Sequence, residues 1–336
     1  MRYAETWTDA RLRAVRDLTP SIREFEIVPD GPAPSSYPLG AHVNVEVQAS
    51  GKPDTRSYSL TGAQGCYRIA VKHAPEGRGG SAYMWSLKPG ARLRISTPET
   101  NFPVDYGRPE YTLIAGGIGI TPLCGTALAL ARHGARLRLH YCARSADELA
   151  FADELRDVLG ERLVTYVAGK RLDLGPVLSA VTPGGLAMVC GPLRMLDDAR
   201  RIWKSLGRSM TDLRFETFGS SGTHAPEAFR VRLPQLDREI VVPENQSMLD
   251  ALENAGIGVI SDCRRGECGV CAINIIGVEG TLDHRDVFFS EHQKQANTKI
   301  CACVSRALGT IVLDPLYRPD PSRRSSVIAS DPPPSS

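Results

Sequence analysis

The chain has 336 residues, 42% hydrophobic and 23% charged, which is the composition of a soluble globular protein and a length for two or three domains. Its 40 basic and 38 acidic residues leave a net charge of +2, so neither nucleic acid nor an anionic membrane is expected as a partner. The start, MRYAETWTDARLRAV, lacks the apolar core of a signal peptide, so a cytoplasmic protein is expected, and in that compartment its nine cysteines should stay reduced and form no disulfide framework.

Residues 1–106 read as short strands separated by turns. REFEIVP and HVNVEVQ alternate apolar and polar residues, the pattern of half-buried strands, and DGPAPSS, SGKPD and KPG are turn clusters between them. An antiparallel barrel or sandwich is expected. Within it, TRSYSL occupies 55–60, and GRGGS occupies 77–81 ahead of a helical AYMWSL. Gly79, Gly80 and Ser81 there form an amide-lined site suited to an anion.

Residues 107–221 change character. The stretch 113–131, LIAGGIGITPLCGTALALA, carries no charge and is long enough to raise the question of a membrane span. Its four glycines, one proline and two threonines favour a buried strand, a tight turn and a helix instead. Thr121 is expected as the helix cap, Pro122 as its first residue and Gly134 as its stop. RLRLHYCA, ERLVTYVAG, LAMVCG and LRFETF are further strand candidates, with DELAFADELRDVLG and RMLDDARRIWKSLG as helices between them. This alternation predicts a parallel sheet with helices on both faces. The loop GGIGITP at 116–122 is a glycine turn but lacks the G-x-G-x-x-G spacing. VCGP at 189–192 falls at the carboxyl end of a later strand, the edge at which open parallel sheets bind ligands.

GSSGTHAPEA at 219–228 has a linker's composition. The segment 228–317 predicts a small α+β domain: FRVRL and REIVVP as a hairpin, then SMLDALENAG as a helix. The tail at 318–336, rich in proline and serine, is expected to be disordered. Five of the nine cysteines lie in the third part, in SDCRRGECGVC and KICACVSRA. Cys263-x4-Cys268-x2-Cys271 with a distant fourth cysteine is the plant-type spacing for a 2Fe–2S cluster. Each iron needs two thiolates, a short loop can supply three of the four, and Gly266 and Gly269 let its backbone pass close. Zinc would call for paired C-x2-C units, and only one such pair is present. Spacing leaves Cys301 and Cys303 both open as the fourth ligand, because strand alternation puts them on the same face.

SDCRRGECGVC and CVSRALGTIVLD resemble the C-terminal ferredoxin domain of the phthalate dioxygenase reductase family, which includes the reductase subunits of vanillate O-demethylase-type oxygenases. The resemblance runs from residue 1 to about 317 and implies three modules: an antiparallel flavin β-barrel, an α/β nucleotide domain and a ferredoxin-like domain. It implies Cys303, directly before VSRA, as the fourth ligand. TRSYSL is similar to the family's flavin motif R-x-Y-S. Carried over, Arg56 contacts the flavin phosphate, Ser57 and Tyr58 follow with the phenol against the ring, and Ser59 sits near the reactive nitrogen as a catalytic residue. A fixed guanidinium suits a phosphate, and a small hydroxyl leaves room for hydride. Val71, Lys72 and His73 then line the flavin, Gly79, Gly80 and Ser81 hold its phosphate, and the cofactor implied is FMN. Gly116, Gly117, Gly119, Thr121 and Pro122 hold the pyrophosphate of the nicotinamide cofactor. Cys190, with Gly191 and Pro192, lies beside the nicotinamide as a second catalytic residue. Arg144 of CARSADELAF reaches the ribose or a 2′-phosphate; NADH is the implied donor and NADPH stays open. Phe218 of FETFG approaches the flavin.

The implied function is a reductase component that passes electrons from NAD(P)H through FMN and the 2Fe–2S cluster to a Rieske-type aromatic oxygenase or O-demethylase. A free-standing flavin or ferric reductase and a non-catalytic redox sensor are the alternatives. The substrate pocket of the oxygenase would lie on another protein. Arg264 and Arg265, beside the cysteines, are expected to form a basic edge that steers an acidic partner.

Overall fold

Alternating apolar and polar residues make the first part of the chain a sheet. The computed structural model describes residues 6–314 apart from 32–35, 50–51, 63–65, 76, 78, 101, 219–223, 225–226 and 245. The tail expected at 318–336 and much of the expected linker therefore lie outside the described residues. Two compact units form, Met1–Ser221 and Gly222–Ser336.

The first unit begins with β1 (Trp7–Thr19), β2 (Ile22–Pro29), β3 (His42–Ala49), β4 (Lys52–Ser59), β5 (Tyr67–Lys72), helix α1 (Gly80–Ser86) and β6 (Arg92–Ser96). The strands pair antiparallel in the order β4-β3-β6-β1-β2-β5, and a bridge between Leu60 and Ile69 links the two ends into a barrel. Leu12, Phe25, Ile27, Val45 and Ile69 fill its interior. Burying one such side chain stabilises the fold by about 1.5–3 kcal/mol. β1 escaped the sequence reading because WTDARLRAVRDLT does not alternate cleanly. The structure explains this with a register shift between Leu12 and Ala14, a bulge that changes which face each residue meets.

Five strands follow: β7 (Tyr111–Gly116), β8 (Leu137–Cys142), β9 (Leu163–Tyr166), β10 (Leu186–Cys190) and β11 (Leu213–Glu216). They are all parallel, in the order β11-β10-β7-β8-β9. The helices between them are α2 (Ile120–Arg132), α3 (Ala152–Leu159), α4 (Leu174–Ser179) and α5 (Leu193–Ser205). The uncharged run 113–131 is thus β7 and α2, and no helix among the described residues is long and apolar enough to cross a membrane.

Two helix boundaries differ from expectation. α2 starts at Ile120, because the glycine loop winds through a 3-10 turn, Gly117–Gly119, straight into it. Thr121 is therefore inside the helix, with its hydroxyl donating to the Ile118 carbonyl at 3.0 Å. DELAFADELRDVLG is also not one helix. A 3-10 turn, Ala146–Glu148, precedes a break at Phe151, which is left-handed (φ 61°). Ala150 and Phe151 are drawn into the core there, at 0% and 8% exposure. Barrel residues Ile22, Ala70 and Phe102 share one apolar cluster with Leu113, Leu123 and Tyr141 of the parallel sheet and its helices. Barrel and sheet are therefore held on a common core.

The second unit contains β12 (Phe229–Leu233), β13 (Arg238–Val242), α6 (Met248–Asn254), β14 (Ala272–Asp283), α7 (Glu291–Ala296), β15 (Lys299–Cys301) and β16 (Arg306–Asp314). Its sheet is mixed, in the order β13-β12-β16-β14-β15, with only β12 and β16 parallel. Capping boxes, Ser247 with Asp250 and Ser290 with Gln293, start α6 and α7. Met248, Leu249 and Leu252 pack with Ile273, Ile311 and Leu313. The expected class holds: an antiparallel barrel, a parallel α/β sheet and a C-terminal α+β domain.

Candidate functional site

The cysteine loop follows α6 and ends at β14. Gly266 and Gly269 take left-handed backbone, φ 77° and 71°. A Cβ at Gly266 would lie 2.6 Å from Val304, and one at Gly269 would lie 2.3 Å from the Phe288 ring. Only glycine fits either place. The winding aims the amides of Arg265, Glu267 and Cys268 at the Cys263 sulfur, each at 3.4 Å. Burial pushes the Cys263 thiol up, and those three amides pull it down. Cys301 and Cys303 both hydrogen-bond Cys271 and hold its thiol well below the usual range, while Cys271 raises theirs.

The thiols thus meet as Cys263 with Cys268, and as Cys271 with Cys301 and Cys303. Thiols arranged in separate sets suit a cluster whose two irons each take two thiolates. None of the nine cysteines is in a disulfide. Contrary to strand alternation, Cys303 is not on a strand: β15 ends at Cys301, and Cys303 lies in the turn that follows. There the Gly266 backbone hydrogen-bonds its sulfur.

Buried polar side chains brace the loop, and no local spacing announced them. The Val287 amide donates to the Gly266 carbonyl at 2.9 Å. Asp286, fully buried, accepts from the Phe289 amide at 2.9 Å and from the Ser305 hydroxyl at 3.2 Å. Arg306 of VSRA donates to the carbonyls of Gln246, Glu227 and Pro243 at 2.6, 2.8 and 2.9 Å.

The basic edge expected from Arg264 and Arg265 does not form. Arg264 is paired with Asp250 at 3.0 Å and with Glu253 at 2.6 Å, both on α6. Arg265 is only 8% exposed and lies 3.6 Å from Glu267. The sequence concealed this because two of the carboxylates are 11 and 14 residues away. The loop region instead exposes the apolar Val270 and Phe288, at 44% and 45%.

On the barrel, Arg56 and Tyr58 share one face of β4 by strand alternation. Arg56 pairs with Asp54 at 2.6 Å, and its stem crosses the start of α1 so closely that a Cβ at Gly80 would lie 2.8 Å from Arg56 Cγ. Gly79 before it is left-handed, φ 83°. TRSYSL and GRGGS, separate in sequence, are thus in contact. Burial pushes the Tyr58 phenol well up. Ser57 donates to Asn44 Oδ1 at 2.5 Å, and Ser59, at the strand's end, is 5% exposed. The end of β5 joins them. Val71 accepts at its carbonyl from Trp85 Nε1 at 3.1 Å, His73 stacks on Trp85 at 4.9 Å, and the Ser81 hydroxyl accepts from the Ala74 amide at 3.1 Å. Lys72, the last residue of β5, pairs with Glu148 at 3.2 Å.

At the carboxyl edge of the parallel sheet, two loops press together. A Cβ at Gly119 would lie 2.2 Å from the Cys190 carbonyl oxygen, and one at Gly116 would lie 2.6 Å from Pro192. Gly191 is also in reach of Gly116, at 3.1 Å between its would-be Cβ and the Gly116 Cα. Gly117 is left-handed (φ 55°), Thr121 and Pro122 are buried, and Cys190 is fully buried at the end of β10. Arg144 follows β8 and Phe218 follows β11 at the same edge, Phe218 being 40% exposed. His140 on β8 escaped the sequence reading. It lies 2.9 Å from the Tyr166 hydroxyl, and burial pushes its imidazole down to about 4, so it is uncharged at neutral pH.

Known proteins resemble this chain over most of its length. The family profile described as 2Fe-2S iron-sulfur cluster binding domain matches residues 232–308, and the one described as oxidoreductase FAD-binding domain matches residues 9–103. The heme-dependent oxidative N-demethylase beta subunit of Ectopseudomonas mendocina (strain ymp) is 36% identical over 315 residues, which are 92% of this chain and 98% of that protein. Phthalate dioxygenase reductase of Burkholderia cepacia is 32% identical over 321 residues, 90% of this chain and 96% of that protein. A solved structure of a phthalate dioxygenase reductase, described as modular for electron transfer from pyridine nucleotides to [2Fe-2S], superposes with a TM-score of 0.73 at 31% identity, covering 92% and 98%. The chain therefore carries a flavin-binding barrel and a 2Fe–2S domain.

Proposed function

The chain belongs to the phthalate dioxygenase reductase family of flavin iron–sulfur oxidoreductases, and from that premise we propose that it draws electrons from NADH onto FMN and delivers them through its cluster to a Rieske-type oxygenase or O-demethylase. The observation that carries this reading is the meeting of separate motifs: Arg56 with Gly80 at the flavin, and Gly119 with Cys190 at the nucleotide edge. A second acceptor class, a haem-iron demethylase, is favoured by the 36% identity to the N-demethylase beta subunit.

When bound, the cofactors supply the redox chemistry, hydride transfer and then single-electron transfer. The chain's own residues bind and orient them. Arg56 with Gly79, Gly80 and Ser81 holds the flavin phosphate, Tyr58 lies against the ring, and Ser59, Val71, Lys72 and His73 frame it. Gly116, Gly117 and Gly119, ahead of Thr121 and Pro122, hold the pyrophosphate. Arg144 takes the ribose side, and Cys190, with Gly191 and Pro192, borders the nicotinamide. Phe218 covers the flavin. Cys263, Cys268, Cys271 and Cys303 ligate the cluster. Cys303 is preferred over Cys301 because the Gly266 backbone already serves its sulfur. FMN follows from the family's cofactor; the matched profile alone does not separate FMN from FAD.

Heat-released flavin is expected to be FMN by chromatography. Arg56→Ala removes a charge-assisted phosphate contact of about 1.5–3 kcal/mol, so flavin retention falls roughly 10- to 100-fold. Release of FAD, or unchanged retention, contradicts one half or the other. Stopped-flow electron delivery to a Rieske oxygenase and to a haem demethylase tests the partner. Because Arg264 and Arg265 are already paired, the bimolecular rate should vary little with salt. Transfer to neither partner rejects the proposed role, and a steep salt dependence rejects the uncharged exit.

A further inference from the structure

Glu148 lies within CARSADELAF, but the sequence assigns it no role. It ends the 3-10 turn after β8, four residues beyond Arg144, and its side chain is 18% exposed. One carboxylate oxygen accepts from the Ser21 hydroxyl at 2.5 Å and from the Lys72 ammonium at 3.2 Å. Ser21 and Lys72 are barrel residues. The Ser21 carbonyl in turn accepts from the His73 amide at 2.8 Å, and Ile22 pairs with Lys72 in the sheet. Lys72 lies between Val71 and His73, on the strand that frames the flavin.

We propose that Glu148 is a positioning residue, which ties the nucleotide-binding arm to the flavin-lining strand and fixes the distance between nicotinamide and flavin. This rests on the function proposed above. The apolar core shared by Ile22, Ala70 and the parallel sheet brings the two parts together but does not set a register, since apolar packing has little directionality. A carboxylate gripping a hydroxyl and an ammonium is directional. Hydride transfer requires reacting atoms held within about 3–3.5 Å, and a misplacement of about 1 Å can cost about 100-fold.

The test compares the full-length holoprotein with Glu148→Gln and Ser21→Ala in anaerobic stopped flow with NADH. Glu148→Gln is expected to lower the limiting rate of flavin reduction by about 10- to 100-fold. It should also weaken the long-wavelength absorbance of the stacked nicotinamide–flavin pair. NADH affinity and flavin content should stay at parent values. Ser21→Ala, which leaves the ion pair, should give a smaller loss in the same direction. In flavin-free protein, amide exchange at His73 should rise in Glu148→Gln. An unchanged limiting rate and absorbance in both variants overturns the inference. So does a loss of flavin or NADH affinity that accounts for the slower rate, because Glu148 would then be an ordinary structural contact. If Glu148→Gln does not fold, Ser21→Ala alone decides by the same readings. A parent protein that NADH does not reduce overturns the proposed function and this inference together, whereas a normally reduced parent beside unaltered variants overturns this inference alone.

Discussion

Cys268→Ser abolishes the EPR signal of the reduced cluster and leaves NADH-dependent flavin reduction at the parent rate. Cys263 and Cys268 meet as one pair, and Cys271 meets its partners separately. Losing one thiolate leaves an iron with a single cysteine from that pair. Metal binding and local folding are coupled, so the loop loses its template as well as a ligand. The flavin and nucleotide residues all lie in the other compact unit, Met1–Ser221, with its own cores. Iron content and EPR should therefore fall to background while flavin bleaching by NADH persists. Cys303→Ser should do the same, and Cys301→Ser should retain a signal. A cluster that survives Cys303→Ser but not Cys301→Ser reverses the choice of fourth ligand.

Gly119→Ala should give the opposite pattern: flavin reduction by NADH falls by about 100-fold, and dithionite still reduces the cluster. Gly119 has φ −62°, so alanine suffers no backbone strain there. The obstacle is contact. Its Cβ would lie 2.2 Å from the Cys190 oxygen and 2.9 Å from the Gly191 nitrogen, and both are backbone atoms that cannot swing aside. The two loops must separate, which dismantles the nucleotide edge. Gly117→Ala is the control. Gly117 has φ 55° with nothing within 4 Å of its would-be Cβ, so before the cofactor binds alanine costs the left-handed strain alone, about 1–2 kcal/mol. Rapid-reaction measurement of both variants separates close approach from strain. Equal losses, or none at Gly119, would contradict the geometry.

What could be read from the sequence was what is local. The spacing of Cys263, Cys268 and Cys271 marks a cluster because one short loop supplies all three. The alternation in β2 and β3 marks a barrel because each strand has one buried face. Contacts between distant segments left no local trace. Nothing near Arg56 shows that its stem covers Gly80, and nothing near Gly119 shows the Cys190 carbonyl above it. Arg264 and Arg265 read as a basic edge until folding brought Asp250 and Glu253 to the first of them. The DELAF helix failed for a related reason. Its periodicity runs on, but burial of Ala150 and Phe151 forces a left-handed break. Glu148, the last residue of the turn before that break, meets Ser21 and Lys72 across 127 and 76 residues of sequence.

The most direct test is an anaerobic titration of the intact parent protein with NADH, followed by flavin absorbance and by EPR of frozen samples. The account predicts that the flavin bleaches and that the spectrum of a reduced 2Fe–2S cluster grows with added NADH, without any other protein. If NADH reduces the flavin and the cluster stays oxidised, or if it reduces neither, electron flow from nicotinamide to cluster within this one chain is contradicted.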